Sequence, residues 1–64
     1  MWIKCENGRT INSDYVAVFQ ENNGFIEAEM VGYEFPTVIV CKSKHYNIDE
    51  IIKLIISGEK YMEV

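Results

Sequence analysis

The side chains best equipped for chemistry in this sequence are one histidine, His45, two cysteines, Cys5 and Cys41, and the lysines Lys42 and Lys44. Nucleophilic catalysis needs a Ser or Cys beside a His and a third group to orient it. No local signature of such a set occurs, and there is no Gly-rich phosphate loop and no His-Glu-x-x-His pattern. The expectation is a non-enzymatic protein with no catalytic residues. Cys41-x-x-x-His45 has a metal-ligand spacing, but a structural zinc site usually takes four ligands, often from paired Cys-x-x-Cys arrays, and a clear fourth is missing. No metal and no cofactor is therefore expected. Both cysteines stand among strand-forming residues, where a reduced thiol packs as a small hydrophobe.

A sharper constellation is Lys42-Ser43-Lys44-His45-Tyr46-Asn47, which gathers two cations, a histidine, a hydroxyl and an aromatic ring just before a helix start. Free N–H groups at a helix N-terminus attract anions, lysines add point charge, and Tyr46 could stack on a base, so these six residues fit a nucleotide-like phosphate. The plainer account is a solvated connection, with Asp49 and Glu50 already answering the helix dipole, and it is preferred.

The opposite feature is a stretch without cations. From Thr10 to Cys41 there is no Lys or Arg, while Asp14, Glu21, Glu27, Glu29 and Glu34 carry negative charge. Glu27 and Glu29 project from one strand face about 7 Å apart. With Glu21, Glu34 and the aromatic Tyr33 they form a candidate surface for a basic protein partner. A solvated sheet face or a charged, blunted edge explains the same residues without a partner.

Asn7-Gly8 and Asn23-Gly24 are two-residue hairpin signals, and Asn12-Ser13-Asp14 favours a turn. The segments between them predict strands at 2–6, 9–11, 15–20, 25–33 and 37–42. Within the fourth, Ile26, Ala28 and Met30 share one face and Glu27 and Glu29 the other, so it is half buried. Val38-Ile39-Val40-Cys41 is apolar on both faces, which predicts a central or doubly covered strand. From Ile48 the period changes: Ile48, Ile51, Ile52 and Ile55 form a helical stripe, with Asn47 as N-cap, Glu50 three residues on, and Gly58 as terminator. Leu54 and Ile56 widen the apolar arc to roughly 200°, so the tail, as a last short strand with Met62 and Val64 inward, or a second subunit must cover its rims. The expected fold class is α+β: a small twisted antiparallel meander of four to five strands, one amphipathic helix on one face and a short tail strand. Its outer face would carry some of Trp2, Tyr15, Phe19, Phe25, Val31 and Tyr33, an aromatic excess that predicts a homo-oligomer.

The 64 residues, 48% of them hydrophobic, suffice for one domain, 1–64, and leave little for a cleft. A net charge of −4 argues against duplex nucleic acid and anionic membranes as partners. Charges at Lys4 and Glu6 interrupt any signal-peptide core, and no apolar run approaches a bilayer span, so a cytoplasmic location is expected.

The opening Met1-Trp2-Ile3-Lys4 and Asn7-Gly8-Arg9-Thr10-Ile11-Asn12, with the closing Ile-Ile-Lys-Leu-Ile-Ile-Ser-Gly-Glu-Lys-Tyr of 51–61, resembles short uncharacterised proteins of Gram-positive bacteria and their phages. The likeness covers about a third of the chain and implies a stand-alone accessory protein of prophage type, with no functional residue carried over. Together these observations point to a binding protein, in its leading form a phage-type inhibitor that occupies a basic surface of a host (defence) protein. The alternatives are an oligomer that sequesters a small phosphorylated ligand or nucleotide at 42–47, and a structural oligomer subunit.

Overall fold

A computed structural model describes all residues, Met1–Val64. The chain runs β1 (Trp2–Lys4), β2 (Thr10–Asn12), a single 3₁₀ turn (Ser13–Tyr15), β3 (Val16–Asn22), β4 (Phe25–Met30), β5 (Thr37–Lys42), α1 (Ile48–Ile56) and β6 (Tyr61–Glu63). The fold is small and α+β, but the single meander expected from the hairpin signals is replaced by two three-stranded sheets, β2-β1-β6 and β3-β4-β5. Only the second is a meander. In the first, β1 is central, antiparallel to β2 and parallel to β6.

The division falls where the turn residues put it. The Asn12 side chain accepts a hydrogen bond from the Asp14 N–H at 3.0 Å, winding the 3₁₀ turn that takes the chain out of one sheet and into the other. One backbone bond, Glu6 N–H to Val40 O at 2.9 Å, ties the β1–β2 loop to β5 of the other sheet, and Val31 N–H to Tyr15 O at 2.7 Å prolongs the β3–β4 ladder.

Asn23-Gly24 forms the two-residue hairpin its dipeptide predicts, with φ of 52° and 83° and Asn22 paired to Phe25. Asn7-Gly8 does not. Only Gly8 is left-handed there, and bonds from Gly8 N–H to Cys5 O and from Cys5 N–H to Arg9 O close a three-residue loop at 6–8.

Ile26, Ala28 and Met30 are all buried while Glu27 and Glu29 are half-buried on the other face, as the alternation requires. β5 departs from expectation. It is an edge strand, its Ile39 is exposed, and a bulge between the pairs Ile26/Cys41 and Glu27/Ile39 lets Val40 and Cys41 both turn inward. The apolar run therefore reflects two successive inward residues, not cover on both faces. β4 also ends at Met30 rather than at 33, because Gly32 and Pro36 shape a loop beyond it.

The helix begins with a full capping box: Asn47 Oδ1 accepts from Glu50 N–H at 2.8 Å and Glu50 Oε1 from Asn47 N–H at 3.3 Å. Ile51 is its one fully buried residue, with Ile48, Leu54 and Ile55 packed around the core. Met62 and Val64 join that core and Tyr61 faces out, as the tail-strand reading has it. Ile56 stays 79% exposed, so the tail does not cover the whole apolar arc.

Candidate functional site

Residues 42–47 lie together, but mostly in one another's service and that of their neighbours. His45 N–H donates to Lys42 O at 3.0 Å and Ser43 N–H to Gly24 O at 2.9 Å, a tight turn docked on the β3–β4 hairpin. His45 Nδ1 donates to Glu6 Oε1 at 2.5 Å; the carboxylate can only accept, so Nδ1 carries the proton. The same oxygen receives the Lys42 N–H at 3.3 Å. The His45 hydrogen bond first, then the Lys42 N–H and the nearby cations, hold the Glu6 carboxyl below the usual glutamate range against the opposing effect of burial.

Tyr46 is half-buried and packs against the core. Asn47 and Glu50 consume each other's backbone donors, and no pocket opens beside Lys42 or Lys44 or elsewhere on the surface. Glu6, the partner of His45, was not among the candidates, because nothing local in the sequence links residues 39 positions apart.

Both cysteines are buried free thiols. Burial pushes Cys5 up, and burial followed by the charges of Glu6 and Cys5 pushes Cys41 up to about 11, so both are in the protonated, poorly nucleophilic form at neutral pH. No three His, Cys, Asp or Glu side chains converge as metal ligands.

The acidic residues divide. Glu27 and Glu29 share the outer face of β3-β4-β5 with Val18, Gln20, Thr37 and Ile39, as the register requires. Gln20 Nε2 donates to both carboxylates at 3.2 Å and Thr37 Oγ1 donates to Glu29 at 2.7 Å. These donors are neutral, so they fix the carboxylates in place without cancelling their charge. Neither the Lys4–Glu63 ion pair nor the Glu6–His45 contact involves them. Glu21 stands across from Ile26, on the opposite face and near the hairpin turn, so it does not belong to this surface. Glu34 and Tyr33 lie in the loop that follows β4, closed by Met30 N–H to Pro36 O at 2.8 Å.

That loop displays what the sequence reading passed over. Phe35 is 78% exposed, beside exposed Val31 and Tyr33, and the Val31–Tyr15 backbone bond brings in exposed Tyr15. The available signal was negative: an aromatic ring between Gly32 and Pro36, in a segment without alternation, belongs to no core face. Phe19, by contrast, packs against the core and Phe25 is part-buried, so neither is free for an outer aromatic face. No helix is long and apolar enough to cross a membrane. No family model matches the chain, and no curated protein and no solved structure matches it either.

Proposed function

We propose that this chain is a non-enzymatic binding protein that docks onto a basic surface of a protein partner through the outer face of β3-β4-β5. The observation that carries this reading is the pair Glu27 and Glu29, held in place by Gln20 and Thr37 and left without any counter-ion, in a stretch from Thr10 to Cys41 that has no Lys or Arg. Preset carboxylates lose little side-chain freedom on binding, and an uncancelled field steers a basic partner. Occupying a host protein's basic surface, in the manner of a phage inhibitor, is a role that needs such a face and no catalytic set.

The test is a photo-reactive phenylalanine analogue at Ile39, exposed on this face opposite Glu27. Cross-linking in the producing cell's host should trap a protein with a basic surface, and Glu27→Lys/Glu29→Lys should abolish the adduct with the fold unchanged by circular dichroism. An adduct that persists in the charge-reversed chain would overturn the reading.

Self-association is the second reading. Trp2 stands directly across from Tyr61 on β2-β1-β6 and both rings are exposed, a pair suited to a second copy. A sedimentation mass near 7.5 kDa across the micromolar range excludes it.

A further inference from the structure

The docking face leaves the loop at 31–36 without a task, although it carries the most exposed large apolar side chain of the β3-β4-β5 sheet and its loops, Phe35. Val31, Tyr33 and Phe35 neither belong to the core nor pack against it, so the fold does not call for apolar residues at these positions. The loop is held at both ends by the bonds Val31 N–H to Tyr15 O and Met30 N–H to Pro36 O. Between them Gly32 turns left-handed at φ 81°, and Pro36 fixes its own φ. Apolar side chains are thus presented on an ordered backbone, which lowers the entropy lost when they are buried by a partner.

The charged side chains here are all acidic, and the one ammonium tied to this neighbourhood is the Met1 amine, which donates to Ser13 Oγ at 2.9 Å. Asp14 precedes Tyr15, Glu34 sits within the loop, and Glu29 is bonded to Thr37 at its base. The next cations along the chain are Arg9 and Lys42, and Lys42 stands across from Phe25, at the far end of β4, about 17 Å away by strand rise. An apolar tip with an acidic rim is complementary to an apolar cleft bordered by Lys and Arg, and it is repelled by an anionic lipid surface. We infer that the loop at 31–36 is a wedge, with Phe35 as its anchor, that inserts into a Lys/Arg-rimmed apolar cleft on the protein partner. The inference rests on the docking reading above and assigns that surface its specificity element.

Two peptides of equal length and charge separate the two claims: a Lys/Gln chain without apolar residues, and an amphipathic Lys/Leu helix in which Leu replaces each Gln. Binding is followed by fluorescence anisotropy at about 50 and about 300 mM salt, where screening weakens charge-only contacts most. The intact chain should prefer the Lys/Leu peptide by about tenfold or more at the higher salt. Phe35→Ser should remove that preference and leave Lys/Gln binding unchanged, while Glu27→Gln/Glu29→Gln should weaken both peptides alike. Equal binding of both peptides overturns the wedge and leaves the acidic face standing; binding of neither overturns both. Phe35-dependent binding to neutral phosphatidylcholine vesicles, with no peptide preference, replaces the protein cleft with a bilayer.

Discussion

Glu6 Oε1 and His45 Nδ1 meet at 2.5 Å across 39 residues of sequence, and with the Glu6 N–H bond to Val40 they join the β1–β2 loop to β5 and to the connection that leads into α1. Because its partners hold the folded-state carboxyl below the unfolded value, they stabilise the fold above the ordinary glutamate range. That contribution disappears as pH falls through the folded value. The chain should melt at a higher temperature than Glu6→Gln near about pH 6, with the gap closing toward about pH 3. A gap independent of pH in thermal melts would remove the carboxylate from the account.

Ile51 and Ile56 carry the same side chain on the same helix, one with no exposed surface and the other 79% exposed. Ile51→Ala should cost about 2–5 kcal/mol by lost burial plus the cavity left behind. Ile56→Ala should fall within about 0.5 kcal/mol of wild type in the same urea titration.

Asn47→Ala removes the side chain that accepts the Glu50 N–H and with it half of the capping box. A loss of about 1 kcal/mol is expected, and Asn47→Asp should recover most of it, since a carboxylate caps as well. Equal losses for the two variants in chemical denaturation would show that the cap is not the cause.

Cys41 has no exposed surface and its thiol is pushed up to about 11, so at pH 8 on the order of one molecule in a thousand carries the thiolate. Iodoacetamide should leave the native chain unmodified at both Cys5 and Cys41 and add two groups once urea unfolds it. Rapid double alkylation in native buffer, read by mass spectrometry, would contradict the burial of both sulfurs.

Much of the local structure was legible because it is decided by neighbours in sequence. Asn23-Gly24 dictates its turn, Ile26-Ala28-Met30 dictates a buried face, and Asn47, Glu50 and Gly58 bracket the helix. What escaped depends on partners far along the chain. No periodicity shows that β1 takes a parallel neighbour from residues 61–63, so the division into two sheets was invisible. The bulge that turns Val40 and Cys41 inward together looks, in one dimension, like a strand apolar on both faces. At the candidate site, the alternation brought Glu27 and Glu29 to one face, while Glu21, two residues beyond Phe19 on β3, falls on the other. Gln20, Thr37 and Phe35 went unnoticed because their roles arise only when β3, β5 and the loop flank β4.

The parallel pairing of β1 with β6 also sets an order of events. Trp2, Ile3 and Lys4 are made almost sixty residues before one of their two neighbours in the sheet, Tyr61, Met62 and Glu63. The β3-β4-β5 meander and helix α1 draw on short-range contacts, whereas closing β1 against β6 requires segments almost sixty residues apart to find each other, the slow kind of contact. Until it closes, β1 has an open edge that another nascent chain could occupy.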